Sequence, residues 1–235
     1  MSATTPARAK APRKKRPAAK PKSSAGGRVL ITGASGFLGR HVVSQLIEAA
    51  GAAAQGSSQI RALVRRPSLF LERQGVDMVM GDICDPEIAT RAMEGVTAVY
   101  HLAGFVSRDP ADGPRLYQVH VDGTRTVLRA AAAAGVKRVV VASTSGTVAV
   151  SRDADAISNE SAPYRHAIVS RWPYYLSKIY QEQTSFELGR ELGLEVVVVN
   201  PSLLLGPDDE RGSSTLDTVL SVSFFVALVA VTFLI

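Results

Sequence analysis

The chain has 235 residues, 46% of them hydrophobic and 20% charged, enough for one large domain or one domain and part of a second. Its formal charge of +6 is uneven: residues 1–28 carry nine Lys or Arg and no acid, which leaves 18 basic against 21 acidic side chains in the rest, a net of −3. A mildly acidic globular part argues against a nucleic-acid-binding core, and the single cysteine, Cys84, rules out an intrachain disulfide and fits a reducing, cytoplasmic setting.

Residues 1–28 are rich in Ala, Pro and Lys, lack aromatic residues and apolar periodicity, and read as a disordered basic tail. Its PRKKRP patch is the place where a polyanion would be held weakly, and no specific nucleic-acid partner is expected. No apolar segment follows the charges as a secretory signal would require. From Val29 the texture changes. RVLIT predicts a strand, GASGFLG a glycine-rich turn and RHVVSQLIEAAG a helix. QIRALV and VDMVMGD are the next strands, EIATRAMEGV a helix and TAVYHLAG a fourth strand. YQVHVDGTRTVLRAAAAAG predicts a long Ala-rich helix, KRVVVAST a fifth strand, PYYLSKIYQEQTSFELGREL a helix and LEVVVVNPS a sixth strand. β-branched strands alternating with helices predict an α/β, Rossmann-type doubly wound parallel sheet over residues 29–207.

Three groups of residues carry chemistry. The first is the turn Thr32-Gly33-x-x-Gly36-x-x-Gly39, where glycines let the backbone approach a pyrophosphate at a helix N-terminus. Its spacing differs from the G-x-G-x-x-G of ordinary dehydrogenases. At the end of the second strand the acid that binds a ribose 2′-hydroxyl is missing, and Arg65 and Arg66 stand there instead. They read either as a site for the 2′-phosphate of NADP or as surface charges. Asp82, after the third strand, faces the adenine end of a cofactor or caps the next helix. The second group is Tyr174 and Lys178, four apart and so on one face of a helix, whereas Tyr175 is three away and Tyr180 points elsewhere. A neighbouring ammonium is expected to lower the phenol's pKa. Beyond residue 28 the only lysines are Lys137 and Lys178. The third group is Ser143-Thr144-Ser145 at the end of the fifth strand, which opens into the same crevice as the first turn.

These features, in this order, resemble the extended short-chain dehydrogenase/reductase superfamily, in its NAD-dependent epimerase/dehydratase group with dihydroflavonol-reductase-like and 3β-hydroxysteroid-dehydrogenase-like members. The matching stretches run from LITGASGFLG through GDICDP, VYHLAG, VDGTRTVLRAA, VVASTSGTV and YYLSK to VVNPSLLLGP, and STSGTVAVS leans toward the dihydroflavonol-reductase-like branch. The resemblance implies that Tyr174 is the general acid/base, that Lys178 holds the nicotinamide ribose and that Thr144, with Ser145 as the fallback, binds the substrate oxygen. It further implies that Gly33, Ser35, Gly36, Phe37, Leu38, Gly39, Arg65, Asp82, Ile83, His101, Leu102, Ala103, Asn200 and Pro201 contact NADP or NAD, with no metal. The expected function is NAD(P)-dependent oxidoreduction of a secondary alcohol or ketone, a small-molecule substrate. Sugar-nucleotide epimerisation or dehydration is the alternative, and a non-catalytic nucleotide-binding remnant a third reading. Homodimerisation stays open.

Two departures stand out. His120 occupies a position where the family often has Asn, leaving its role as geometry holder or simply satisfied ring undecided. Members of the family also continue well beyond GP into a substrate domain, whereas this chain gives DDERGSSTLDTV and then the uncharged LSVSFFVALVAVTFLI. Residues 208–235 therefore read as the start of a substrate region, truncated or frame-shifted, so that the substrate domain is largely missing. A membrane anchor, short of the ~20 apolar residues of a usual span, is the less favoured alternative and a buried apolar element the other.

Overall fold

The computed structural model describes residues 27–50, 59–153, 155–202, 204 and 206–207. The basic segment 1–26 and the apolar end 208–235 lie outside the described residues. Six strands form one parallel sheet: β1 (Arg28–Thr32), β2 (Ile60–Val64), β3 (Asp77–Met80), β4 (Val96–His101), β5 (Arg138–Ala142) and β6 (Glu195–Val199). Their order is β3-β2-β1-β4-β5-β6, every pairing parallel. The chain runs outward in one direction from β1 to β3 and then restarts on the other side with β4. That reversal opens a crevice beyond the C-terminal ends of β1 and β4, where ligands bind in such sheets. Thr32 pairs with His101 across it.

Helices cover both faces, as near-continuous apolar strands require. On one face α1 (Phe37–Ala50) and α2 (Leu69–Arg73) close a core around Ile31, Val43, Ile60, Ala62, Val64 and Leu71. On the other, α3 (Pro86–Ala92), α5 (Gly123–Ala133) and α7 (Pro173–Leu192) cover Leu30, Leu63, Val99, Val139 and Val141. Short helices α4 (Gly113–Tyr117) and α6 (His166–Val169) complete the described elements that bear on the site. Among the described residues no helix is long and apolar enough to cross a membrane.

Three expectations are corrected. Arg28 belongs to β1 rather than to the tail, and its guanidinium reaches Asp77 at 3.3 Å. The single Ala-rich helix begins earlier, at Gly113, and is interrupted by a π-helical turn at Gln118–Asp122. A bulge of this kind leaves the apolar periodicity almost intact, so the pattern does not reveal it. Asp82 does not cap α3. Asp85 does, accepting from Glu87 N–H at 2.9 Å and Ile88 N–H at 3.2 Å, while Asp82 closes a tight turn onto Cys84 N–H.

Candidate active site

The first turn is built by contact. Gly33 has φ +72, and a Cβ there would lie 2.7 Å from Ala103 N, so β1 and β4 approach too closely for any side chain. At Gly39 a Cβ would collide with Gly33 O, which is how α1 seats against the turn. Gly36 differs: only Gly33 O lies near its absent Cβ, at 3.3 Å, leaving open room above the turn at the start of α1. A diphosphate fits such a cradle of backbone N–H groups. Ser35, Phe37 and Leu38 are partly buried along it. Arg65 and Arg66 follow β2 and are exposed, and Asp82 is exposed after β3. Ile83 turns its side chain into the core, against Gly123.

His101 does not line the crevice with its ring. It is fully buried, with Nδ1 2.8 Å from Thr32 Oγ1 and Nε2 2.9 Å from Thr124 Oγ1. The Thr124 hydroxyl proton is committed to His120 O at 2.5 Å, so His101 Nε2–H donates to Thr124 and the Thr32 hydroxyl donates to Nδ1. Thr32 also accepts from Ala103 N–H at 3.2 Å. Leu102 N–H donates to Thr32 O, so Leu102 and Ala103 are tied to the end of β1. The line of bonds continues the other way: Gln181 Nε2 donates to Thr124 at 2.9 Å, and Lys178 Nζ donates to Gln181 Oε1 at 2.8 Å and to Ala142 O at 2.9 Å. A buried polar chain thus connects the glycine-rich turn to Lys178. Burial, with the Lys178 charge adding, pushes the His101 imidazole down to about 3, and burial pushes the Lys178 ammonium down to about 8 against the opposing pull of Glu182.

His120 lies in the π-turn with its ring fully engaged. Phe105 N–H donates to Nε2 at 3.3 Å, which places the proton on Nδ1, 2.9 Å from Ser177 Oγ. Ser177 passes its own proton to Tyr174 O at 2.7 Å. Burial holds this ring neutral, pushed down to about 2. The His120 ring meets Tyr174 edge-on, with centroids 5.8 Å apart.

Of the three tyrosines on this helix, Tyr174 is the one whose phenol is buried beside the Thr144 side chain. Tyr175 instead packs its ring on Gly146 and Trp172, and Tyr180 lies against Tyr117 and His166 at the surface. The expected lowering of the Tyr174 pKa is not found. Burial and the neighbouring Tyr175 push it up to about 12, with the Thr144 bond pulling the other way. Lys178 is not among the groups that act on the phenol; its ammonium is turned to Ala142 O and Gln181 Oε1. Thr144 also caps the short 3₁₀ turn Ser145–Thr147, accepting from Gly146 N–H at 3.3 Å. Ser145 N–H donates to Pro201 O at 2.9 Å.

Sequence reasoning missed Glu182, which is buried one turn beyond Lys178, and placed Asn200 without its partner. The Asn200 amide donates to Glu182 Oε1 at 2.7 Å instead of turning toward the crevice. A cleft of about 240 Å³ opens beside them, lined in part by Tyr164, Phe186 and Val198. A charged residue on a helix with no apolar stripe carries no sequence signal that it is buried.

Sheet order and glycine-rich cradle define a Rossmann-type nucleotide-binding domain. The family model for the NAD-dependent epimerase/dehydratase family matches residues 29–222. A "Sterol demethylase protein B" of Methylococcus capsulatus is 36% identical over 197 residues, covering 81% of this chain and 56% of that protein. A dihydroflavonol 4-reductase of Zea mays is 29% identical, covering 77% of this chain and 54% of its own length. Among solved structures, the UDP-glucose 4-epimerase of Thermus thermophilus in complex with NAD superposes with a TM-score of 0.69 at 27% identity, covering 82% of this chain and 60% of that one. The chain belongs to the NAD-dependent epimerase/dehydratase family of the extended short-chain dehydrogenase/reductases. It spans about half the length of the curated relatives it matches.

Proposed function

We propose that the chain binds NADP or NAD and catalyses reversible reduction of a ketone to a secondary alcohol on a small-molecule substrate. The observation that carries this reading is the pairing of the Thr144 side chain with the buried Tyr174 phenol at the C-terminal edge of the sheet, with Lys178 one helical turn further along α7. A bound nicotinamide would supply the hydride. Tyr174, held protonated near neutrality by burial, gives its proton to the carbonyl oxygen. The resulting phenolate keeps the Thr144 hydroxyl as a donor, and the same two groups take up the alcohol in the reverse direction. Lys178, with two of its three protons committed to Ala142 and Gln181, has one left for a ribose hydroxyl. Gly33, Gly36 and Gly39 would hold the diphosphate, and Arg65 and Arg66 a 2′-phosphate.

Likeness to a UDP-glucose 4-epimerase favours a second reading, in which a sugar nucleotide is oxidised and reduced at one centre by the same Tyr174 and Lys178. Calorimetric titration of the full chain with NADPH and NADH comes first: tighter NADPH binding, abolished in preference by Arg65→Ala, supports the arginine site. Absence of binding by either nucleotide sinks the enzymatic reading. Turnover is then followed as NADPH oxidation on a set of cyclic and aromatic ketones, with UDP-glucose as the competing class. Tyr174→Phe should abolish it while leaving nucleotide affinity unchanged.

A further inference from the structure

Residues 174, 178 and 182 follow one another at helical spacing along a single face of α7. The first two serve the proposed chemistry, while the third is a carboxylate 3% exposed in the protein interior. Four donors converge on it. Ser143 Oγ–H, Thr147 Oγ1–H at 2.6 Å and Asn200 Nδ2–H at 2.7 Å reach Oε1, and the Tyr164 hydroxyl reaches Oε2 at 3.0 Å. A carboxylate accepts all four without donating, which neither a protonated acid nor an amide can do. Full satisfaction explains how it remains buried.

The donors are not scattered. Ser143 directly precedes Thr144, and Thr147 ends the turn that Thr144 caps. Asn200 also donates to Thr144 O at 3.2 Å, and Thr147 N–H to the same oxygen at 3.1 Å. Thr144 is therefore gripped on both sides and at its carbonyl by groups that Glu182 anchors. Its backbone is extended (φ −154, ψ 149), and its side chain stands beside the Tyr174 phenol. Because Tyr174 and Glu182 belong to one helix, α7 fixes both ends of the Thr144–Tyr174 bond. We propose that Glu182 is a positioning residue which sets the Thr144 hydroxyl against Tyr174 through Ser143, Thr147 and Asn200. The role rests on the reading of Tyr174 as the proton-transferring group.

The test uses the full chain with ¹³C at tyrosine Cζ, which gives a signal for each of six tyrosines. The signal missing in Tyr174→Phe belongs to Tyr174. Thr144→Ala removes its donor and displaces that signal. Glu182→Gln is expected to displace it in the same direction, and the Thr144→Ala/Glu182→Gln double variant no further. A Tyr174 signal unmoved by Glu182→Gln but moved by Thr144→Ala overturns the proposal, as does an additive displacement in the double variant. Should Glu182→Gln not fold, Thr147→Val, which removes one donor from Oε1, takes its place under the same criteria. In turnover, Glu182→Gln should lower kcat by about a hundredfold with the KM for NADPH unchanged, since misplacement rather than binding is altered. Retained turnover in Tyr174→Phe overturns the functional reading itself. A dead Tyr174→Phe beside a fully active Glu182→Gln overturns the positioning role alone.

Discussion

Gln181 Oε1 lies 2.8 Å from Lys178 Nζ and is the side-chain acceptor for a buried ammonium. Through its own Nε2 the same amide reaches Thr124, so one side chain couples Lys178 to the hydroxyl–imidazole chain that ends at Thr32, immediately before the glycine-rich turn. Replacing it by Leu removes an acceptor from a buried charge, Lys178 being 5% exposed. Gln181→Leu is expected to lose about 2 kcal/mol in urea unfolding, in the range for hydrogen bonds to charged groups, and to bind NADPH more weakly. Gln181→Glu would bring an opposite charge to Nζ and raise the Lys178 pKa from about 8.

Acid is expected to unfold the protein by way of its interior imidazoles. His101 and His120 are pushed down to about 3 and about 2, so between those values and 6.5 the unfolded chain binds more protons than the folded one. Stability then rises with pH across that window and falls on acidification, each histidine contributing a slope of about 1.4 kcal/mol per pH unit. Urea titrations between pH 4.5 and 7 measure this. His120→Asn should remove one of the two contributions, and an unchanged slope would contradict the assignment.

Two glycines of the first turn separate binding from folding. Gly36→Ala meets only Gly33 O at 3.3 Å, so its stability should stay within about 0.5 kcal/mol of the parent while NADPH binding weakens at least tenfold. Gly39→Ala drives a methyl into Gly33 O, and should lose several-fold more stability through displacement of α1. Thermal melts and calorimetry on the two variants make the comparison.

Arg61, buried near the start of β2, donates to Asp77 at 2.7 Å and to Glu94 O at 2.9 Å and Ala92 O at 3.3 Å, closing the C-terminal end of α3. Arg61→Met leaves those carbonyls without a donor and should lose about 2–4 kcal/mol. The Asp77 side chain is 42% exposed, so Asp77→Ala should lose about 1 kcal/mol or less. Equal losses in urea unfolding would mean that the ion pair, rather than the helix end, is what Arg61 serves.

The parallel sheet was legible because its strands are β-branched runs, and α7 was read to both ends because Pro173 opens it and Gly193, with φ +67, closes it. α2 escaped notice, since five residues are too few to show a period. What could not be read is how α7 packs. Its buried face includes Ser177, Lys178, Gln181, Glu182, Thr184 and Ser185, a polar row that periodicity assigns to solvent. Its partners come from α5, the π-turn, the turn after β5, Tyr164 and the strand ends, all distant in sequence. The Tyr174 pKa failed for the same reason: spacing brought a lysine near the phenol, but burial and the acceptors of that lysine are tertiary facts.

Between β1 and the end of the chain there are two amines, Lys137 exposed at the start of β5 and Lys178 buried at the site. Amine-directed acylation can therefore address the fold at two side chains only. Lys137 is open to a reagent at all times. Lys178, pushed down to about 8, has its free base available in mild alkali, but only through the crevice. Labelling of Lys178 relative to Lys137, read by peptide mass spectrometry, becomes an internally calibrated gauge of crevice occupancy: it should fall as NADPH is added while the Lys137 signal holds constant, with no assay of turnover required.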